Sequence, residues 1–284
     1  MPELPEVETI ARDLNQALRF KKIIAVKPLD GKVFQLSKDE LRAALGRRVK
    51  SVSRRSKMIT MDLAAAHLVI HLKMTGQLVY EQGRIKFAGG HPIANESKLL
   101  PNKFTRVIFY LSGGGVLYFN DVRRFGWVRL ANKKQFAALL AKQGIEPLSP
   151  EFNLIFFKNF LKRKAKSTIK QALMDQKHLS GIGNIYADES LFAARLSPFR
   201  RAGDLSRAEA AKLYRTIPKI LKFAIRHRGT SFSDYVDAQG EVGGFIKYLK
   251  VYGRGGKACK TCPGLIKKGR LGGRGTHWCP SCQK

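Results

Sequence analysis

Residues 179–192 read LSGIGNIYADESLF, and this stretch decides how the second half of the chain folds. Gly181 and Gly183 predict a turn, and Asn184 is suited to be the N-cap of the helix that follows. A glycine turn at a helix start exposes backbone N–H groups at the positive end of the helix dipole. Such a turn binds a phosphate without reading bases. An ordinary corner between two helices has the same pattern, so both interpretations stay open.

Basic residues precede this turn. Lys166, Lys170 and Lys177 lie in the segment that leads into it. Lysines that neutralise phosphates are the usual source of sequence-independent affinity for nucleic acid. They therefore favour the phosphate interpretation of the turn.

The pattern on both sides of the turn predicts a helical region over residues 151–256. Apolar residues recur at helical spacing in several segments, the longest being residues 206–227. Ser206 and Glu209 predict a capping box at its start. Pro218 predicts that this helix is kinked or split. Residues 229–257 are rich in glycine and predict a mobile loop.

Four cysteines follow, and the sequence contains no others. Cys259 and Cys262 form one C-x2-C pair, and Cys279 and Cys282 form a second pair after a gap of sixteen residues. This spacing is typical of a zinc ribbon, whereas free thiols or two redox pairs are the alternative. Four thiolates close the coordination shell, so one structural Zn²⁺ is predicted. Arg274 lies in the gap, and its guanidinium is well shaped for phosphate.

The first half of the chain has a β pattern after one helix. Pro5 and apolar residues at helical spacing predict a helix over residues 5–18. Short apolar or alternating runs divided by glycine-rich turns predict strands between residues 22 and 130. Several strands packed with one helix indicate a β-sandwich, and the fold class is therefore α+β. We expect four regions along the chain: a sandwich domain over 1–131, a linker with a short helix over 132–150, a helical domain over 151–256 and a zinc finger over 257–284.

The excess of basic residues indicates which class of molecule the protein binds. The chain has 53 Lys and Arg against 21 Asp and Glu, which gives a formal net charge of +32. Such an excess repels itself on folding, and a polyanionic partner such as nucleic acid explains it better than a merely basic surface.

No segment reaches the roughly 20 apolar residues of a membrane span. No secretory signal is visible, so we expect a monomeric cytoplasmic, nucleoid-associated protein without disulfides.

Two strand ends carry apolar tips beside polar residues. Met74 precedes Thr75 and Gly76, and Phe125 lies between Arg124 and Gly126. Turns place side chains on the surface, where apolar wedges and an Arg such as Arg123 can enter a duplex and replace an everted base. The alternative is that these side chains belong to the core.

Four separated motifs together resemble one family. PELPEVET at residues 2–9, RRFG at 123–126, GIGNIYADES at 181–190 and the terminal four-cysteine finger resemble the formamidopyrimidine-DNA glycosylase family. The resemblance extends almost from end to end. The endonuclease VIII branch is less similar, because it typically has Gly where this chain has Leu4. The resemblance implies a β-sandwich with a leading helix, a helix-two-turn-helix motif and a zinc finger.

The resemblance also gives a reason for the acidic N-terminus. If Met1 is removed, Pro2 presents a secondary amine, and an N-terminal amine has a reference pKa near 8 against about 10.4 for Lys. Far more of it is then the free base at neutral pH, which suits a nucleophile that forms a Schiff base. Glu3 can donate or accept the proton, and Glu6 can orient the amine. A helix lead-in with acids favoured by the dipole explains Pro5 and Glu6 but not Pro2.

Other roles are carried over by resemblance alone. Pro2 attacks C1′ and expels an oxidised purine, such as 8-oxoguanine or a formamidopyrimidine, from double-stranded DNA, and β- and δ-elimination then cut the strand. Lys57 and Arg274 match the residues assigned to β-elimination and δ-elimination. The matched DNA contacts are Lys57, His71, Asn184, Tyr252 and Arg274, to which the charge argument adds Lys166; Met74, Arg123 and Phe125 match the residues that fill the void.

The sequence departs from the family pattern at several positions. Val122 stands where the family often has Pro, and Phe104-Thr105-Arg106 replaces a usual His-Asp-His. Residues 87–103 look like an insertion. Residues 228–231 read RGTS in place of the commoner glycine–threonine pattern, at the start of the 230–245 loop that the family folds over the base.

Three functions are compatible with these residues. The first is a bifunctional DNA glycosylase with lyase activity, which the presence of Pro2, Glu3 and Lys57 favours. The second is a non-catalytic zinc-ribbon protein that binds nucleic acid. The third is an endonuclease VIII-like enzyme that prefers oxidised pyrimidines.

The charge generates a prediction about binding. We expect the affinity for DNA to fall steeply with salt, with log K decreasing against log salt by about 0.9 per phosphate neutralised. Titration of a fluorescent duplex at several salt concentrations measures this slope. A flat response would contradict the electrostatic argument.

Overall fold

The structure, a computed structural model, describes residues 1–91, 99–230 and 244–284. The 230–245 loop and the middle of the 87–103 insertion therefore lie largely outside the described residues. The chain forms two compact units, residues 1–141 with 227–244 and residues 142–226 with 245–284.

The first unit contains the predicted helix and strands. Among the described residues its elements are α1 Leu4–Leu18, β1 Ile23–Pro28, α2 Lys38–Ala44, β2 Ser51–Arg55, β3 Met58–Asp62, β4 Ala66–His71, β5 Gly76–Gln82, β6 Ile85–Gly90, β7 Thr105–Leu111, β8 Gly115–Asp121, β9 Trp127–Asn132 and α3 Lys133–Ala141.

The strands form two antiparallel sheets that share one core. The five-stranded sheet has the order β1-β7-β8-β5-β6, and the four-stranded sheet has the order β2-β3-β4-β9. Alternate residues such as Ile59 on β3, Leu78 on β5 and Phe119 on β8 are fully buried in a single apolar cluster. Val7 and Leu14 of α1 pack into the same cluster. The predicted β-sandwich with a leading helix is confirmed.

Helix α1 lies along strand β2, and two side chains fix its direction. Glu8 accepts a hydrogen bond from Arg54 Nε at 2.8 Å, and Asn15 Oδ1 accepts one from the Val52 backbone N–H at 2.8 Å. Moving toward the N-terminus of α1 therefore moves toward the C-terminal end of β2. This direction brings the start of α1 toward the β2–β3 turn.

The second unit is helical and ends in a β-hairpin. Its elements are α4 Leu154–Arg163, α5 Ile169–Leu173, α6 Asn184–Ala194, α7 Arg207–Arg226, β10 Lys267–Leu271 and β11 Arg274–Trp278, with short 3-10 helices at Ala202–Asp204 and Gly244–Tyr248.

The start of α7 is as predicted, but its middle is not split. Ser206 Oγ accepts from the Glu209 N–H at 3.2 Å, and Glu209 accepts from the Ser206 N–H at 2.8 Å, so the capping box is confirmed. The helix is continuous across Pro218. Leu213, Ile217 and Leu221 are all fully buried, and this packing outweighs the backbone hydrogen bond that proline removes.

No helix within the described residues is both long enough and apolar enough to cross a membrane.

Candidate functional site

The start of α1 is buried. Pro2 is buried, and Glu3 is 2 % exposed, whereas Met1 before them is 49 % exposed. Removal of Met1 would therefore turn the nitrogen of a buried proline into the chain terminus. The next residue in the sequence, Glu3, carries a carboxylate.

Glu6 is held by hydrogen bonds from two parts of the chain. Its carboxylate accepts from the Glu3 N–H at 2.9 Å, from the Thr230 N–H at 2.8 Å and from Thr230 Oγ1 at 3.0 Å. Gly229 has a φ of +73°, and a Cβ there would lie 2.6 Å from Glu6 Oε1. Glycine is therefore required at 229 for both its conformation and its lack of a side chain. Within the unusual 228–231 segment, Thr230 therefore binds Glu6, whereas Arg228 donates to Asp13 Oδ2 at 2.6 Å.

Lys57 and His71 are brought together by the pairing of β3 with β4. Lys57 lies in the two-residue β2–β3 turn and is 5 % exposed, and its neighbour Met58 pairs with His71. Burial lowers the pKa of His71 to about 3, and the charges of Lys73 and Lys57 contribute. His71 Nδ1 accepts from the Lys73 N–H at 3.0 Å, so the neutral ring carries its proton on Nε2. Such a ring can donate a hydrogen bond to a phosphate.

Met74, Arg123 and Phe125 form one exposed group. Met74 is 37 % exposed and Phe125 is 45 % exposed, so the interpretation as core residues is wrong for both. Arg123 Nη1 lies 3.4 Å from Met74 Sδ, and its guanidinium lies 4.6 Å from the centre of the Phe125 ring. The turns after β4 and β8 therefore meet, because β5 pairs with β8.

Asp121 organises these two turns, and the sequence argument missed it. Its carboxylate accepts hydrogen bonds from Thr75 Oγ1, from the Arg123 N–H at 3.2 Å and from the Gly126 N–H at 2.7 Å. Asp121 is 0 % exposed. The only sequence signal is an acid two residues before the RRFG motif.

His91 is a second residue that the sequence argument missed. Burial lowers its pKa, the positive charge of the chain terminus lowers it further, and Asp121 opposes the shift. The His91 N–H also donates to the carbonyl oxygen of Gly76 at 3.0 Å, which places His91 beside the turn that carries Met74.

The residues that replace the family's His-Asp-His have structural contacts. Thr105 is 3 % exposed and donates to Asn120 Oδ1 at 2.9 Å. Arg106 Nε donates to the carbonyl oxygen of Asp121 at 2.8 Å. Leu100, at the end of the insertion, packs against an apolar cluster on the outer face of the five-stranded sheet. Val122 is 40 % exposed.

The glycine turn of the second unit differs from the prediction in its cap. The N-cap of α6 is Gly183, and Asn184 is the first helical residue. Gly183 has an extended backbone and can end the turn itself, so the N-cap assigned to Asn184 is wrong. Gln176 is a residue that the sequence argument missed: its side chain accepts from the Gly181 N–H at 3.0 Å and donates to the Ile182 carbonyl oxygen at 2.6 Å. The Gly181 N–H is thus used inside the turn.

The three lysines before the turn have different environments. Lys166 and Lys177 are exposed. Lys170 is 1 % exposed, and its ammonium lies 2.7 Å from Asp188 Oδ1. It also donates to the Gly275 carbonyl oxygen at 2.8 Å and to Thr276 Oγ1 at 2.9 Å. Its interpretation as an exposed phosphate contact is therefore wrong, because Lys170 joins α5 and α6 to the hairpin.

Tyr252 is positioned by a buried carboxylate on α6. Glu189, 2 % exposed, accepts hydrogen bonds from the backbone N–H groups of Lys250, Val251 and Tyr252, the last two at 2.9 Å. Burial raises the pKa of Glu189, and these three hydrogen bonds oppose the shift. The half-buried Tyr252 is thereby held on a defined backbone.

The four cysteines converge on one point. All four sulfur atoms lie within 4.8 Å of one another, with Cys262 and Cys279 Sγ 3.5 Å apart and Cys259 and Cys282 Sγ 4.0 Å apart. A tetrahedron with Zn–S bonds of about 2.3 Å has sulfur separations of about 3.8 Å. The cluster therefore fits a zinc finger with these four ligands.

Arg274 lies at the tip of the hairpin. Leu271 pairs with Arg274 across Gly272 and Gly273, which have φ values of +53° and +75°. Two residues with positive φ make a type I′ turn, for which two glycines are well suited. Arg274 is exposed at this tip.

Known proteins match the whole arrangement. A family model described as the formamidopyrimidine-DNA glycosylase N-terminal domain matches residues 1–128, and one described as the formamidopyrimidine-DNA glycosylase H2TH domain matches residues 143–236. The chain belongs to the formamidopyrimidine-DNA glycosylase family. The formamidopyrimidine-DNA glycosylase of Carboxydothermus hydrogenoformans is 42% identical over 100% of both chains. That of Pelotomaculum thermopropionicum is 39% identical over 100% of this chain and 99% of its own.

Solved structures of formamidopyrimidine-DNA glycosylases have the same fold. The MutM (FPG) protein of Thermus thermophilus superposes with a TM-score of 0.83 at 38% identity over 99% of this chain and 98% of its own. The Lactococcus lactis FPG (MutM) in complex with Fapy-dG containing DNA superposes with a TM-score of 0.84 at 30% identity, over 99% of this chain and 100% of its own. The protein is thus a DNA-binding repair glycosylase by family.

The finger generates a prediction. Cys259→Ser should lose zinc and DNA affinity together, because one missing thiolate opens a closed four-ligand site. Metal analysis and fluorescence anisotropy on a short duplex measure both. Arg274→Ala is the control that should retain about one zinc per chain yet bind DNA more weakly. Normal affinity in zinc-free protein would contradict this role for the metal.

Proposed function

We propose that this protein is a bifunctional glycosylase and lyase that removes oxidised purines from double-stranded DNA. The observation that carries the proposal is the buried Pro2, which becomes the N-terminal residue when Met1 is removed. The buried Glu3 follows it. The relative from Lactococcus lactis is bound to DNA that contains Fapy-dG, which supports an oxidised purine as the substrate. 8-Oxoguanine and formamidopyrimidines are the lesions we propose.

The proposed chemistry begins with the amine of Pro2. Its nitrogen attacks C1′ of the damaged nucleotide, and the bond from C1′ to the base breaks. The base leaves with the electron pair and takes a proton, for which Glu3 is the donor. The Glu6 carboxylate holds the start of α1 through the Glu3 N–H and so fixes the position of the amine.

Strand cleavage follows from the covalent intermediate. The sugar ring opens to an iminium ion on Pro2, and the iminium withdraws electrons from the sugar. A proton is then lost from C2′ and the 3′ phosphate leaves, after which the 5′ phosphate leaves in a second elimination. We propose that Lys57 acts in the first elimination and Arg274 in the second, as the family resemblance implies.

Residues of each unit are proposed to hold the duplex. In the first unit, His71 binds a phosphate as a neutral donor, and Met74, Arg123 and Phe125 fill the space of the everted base. In the second unit, Lys166, Asn184, Tyr252 and Arg274 bind the backbone. One Zn²⁺ on the four cysteines would fix the hairpin that carries Arg274; it supplies no reacting group. We propose that the helical region 151–256 and the finger 257–284 serve as DNA-binding domains and that one chain acts on each lesion.

The role of Pro2 generates a prediction. An uncleaved N-terminal tag should abolish both base excision and borohydride trapping, because Pro2 then has no amine. The same tag after Lys284 is the matched control and should leave both reactions intact. Gel analysis of oxidised-guanine duplexes with and without borohydride measures the outcome. Trapping by the N-terminally tagged protein would refute Pro2 as the nucleophile, and absence of trapping by the control would favour the non-catalytic alternative.

The exposed group at the strand ends generates a second prediction. Met74→Ala and Phe125→Ala should each slow excision of 8-oxoguanine opposite cytosine by about fivefold, equivalent to about 1 kcal/mol of lost stabilisation. Cleavage at a pre-formed abasic site should hardly change, because no base has to be everted. Single-turnover kinetics on both duplexes measure this difference.

A matched control is available for these variants. Ile85→Ala removes another exposed apolar side chain of the first unit, 59 % exposed, and should affect neither substrate. If Met74→Ala and Phe125→Ala slow both reactions equally and melt earlier, the two residues act in stability and not in eversion. A duplex panel with oxidised pyrimidines separates the endonuclease VIII-like alternative.

A further inference from the structure

The turn that carries Arg123 and Phe125 has an unfavourable backbone. Arg124, between them, has a φ of +57°. A left-handed conformation is disfavoured for any residue with a Cβ and persists only where surrounding contacts hold it. The same turn brings the Arg123 guanidinium over the Phe125 ring. Whatever holds Arg124 therefore determines how this pair is presented.

Asp30 holds Arg124 by its side chain. Arg124 Nε donates to Asp30 Oδ2, and Nη2 donates to Oδ1 at 3.1 Å, so the pairing is bidentate. The Asp30 side chain is 3 % exposed, and Arg106 Nε lies 3.9 Å from its Oδ2. The hydrogen bond from Arg124 lowers the pKa of Asp30 despite its burial, so the carboxylate stays ionised.

Asp30 is itself anchored to both sheets. Its Oδ1 accepts from the Lys32 N–H at 3.0 Å, and its carbonyl oxygen accepts from the Phe34 N–H at 2.9 Å. The residue before it, Leu29, donates to the Arg106 carbonyl oxygen on β7 at 2.8 Å. Phe34 bridges to Val128 on β9. The carboxylate is therefore a fixed point and not a mobile surface acid.

Two carboxylates thus hold one turn. Asp121 binds the Arg123 and Gly126 N–H groups from within the turn, and Asp30 binds the Arg124 side chain that leaves it. Asp121 alone fixes the two ends of the turn and leaves Arg124 unsupported at its middle. The pairing with Asp30 supplies that support.

We propose that Asp30 is a positioning residue for base eversion, which holds Arg124 in its left-handed conformation and so keeps Arg123 stacked on Phe125 before DNA binds. The inference rests on the proposed function, because it assigns Asp30 to the step that Met74, Arg123 and Phe125 perform. A preformed group avoids the ordering that a loose turn would need during eversion. If Asp30 and Arg124 formed only an ion pair, without holding the turn, the pair would contribute little to stability because Arg124 is half exposed.

The first test replaces the charge and keeps the local turn. In Asp30→Asn the amide oxygen can still accept from the Lys32 N–H, but the charged bidentate pairing is lost. Excision of 8-oxoguanine should slow by about fivefold, and cleavage at a pre-formed abasic site should be unchanged. Asp39→Asn is the matched control: it makes the same change of charge at a side chain that is 92 % exposed and should alter neither rate.

The second test uses Arg124→Gly. Glycine adopts positive φ without penalty, so a turn with glycine at this position no longer needs Asp30. Asp30→Asn should therefore slow excision in the otherwise unchanged protein but have no further effect in the Arg124→Gly protein. Equal slowing in both proteins would overturn the inference. So would equal slowing of excision and abasic-site cleavage together with a lower melting temperature, because Asp30 would then act in stability alone.

A binding readout separates this inference from the proposed chemistry. 2-Aminopurine beside the lesion becomes fluorescent when it is unstacked, and it reports entry of the side chains without any bond breaking. In stopped-flow mixing, Asp30→Asn should delay this signal by about the same fivefold. If the unchanged protein gives the signal but excises nothing, the proposed glycosylase is refuted. The Asp30 inference is then still supported if Asp30→Asn delays the signal. An identical signal from Asp30→Asn would overturn the inference while excision stands.

Discussion

The burial of the Glu6 carboxylate is the constraint on which the site of the first unit depends. A buried carboxylate is unfavourable unless hydrogen bonds replace the water that it loses. Here one donor comes from Glu3 at the start of the chain, and two come from Thr230. The chain must therefore return to the first unit at residue 227 after it has built residues 142–226. Glycine at 229 lets this return approach the carboxylate closely.

Buried acids also hold three other segments that carry proposed contact residues. Asp121 holds the turns of Met74 and Arg123, Glu189 holds the backbone of Tyr252, and Asp188 pairs with the lysine that secures the Arg274 hairpin. All three acids are at most 2 % exposed. A chain of net charge +32 has few acids, and several of them are used inside the protein to fix loops while the basic residues cover its surface.

The sequence was sufficient for features with a local signal. The helix at residues 5–18, the strands, the Ser206–Glu209 capping box and the cysteine cluster all follow from spacing between near neighbours. Features that depend on distant partners could not be predicted. The Asp30–Arg124 pair spans 94 residues, and the Lys170 contact with Thr276 spans 106. A lysine before a glycine turn predicts an exposed charge, and only the fold places Asp188 and the hairpin around it. The cap at Gly183 was missed because Asn184 is the stronger capping residue and only the backbone angles decide between them.

His71 has a consequence for how the protein responds to its solution conditions. Its ring is neutral across the physiological pH range because burial and two lysines lower its pKa to about 3. A lysine that meets a phosphate releases a condensed counterion, and that release is the origin of salt-dependent affinity. A neutral imidazole N–H releases none and takes up no proton from solution on binding. Within a strongly cationic protein, the phosphate contact that we propose for His71 would therefore depend neither on counterion release nor on protonation of the ring.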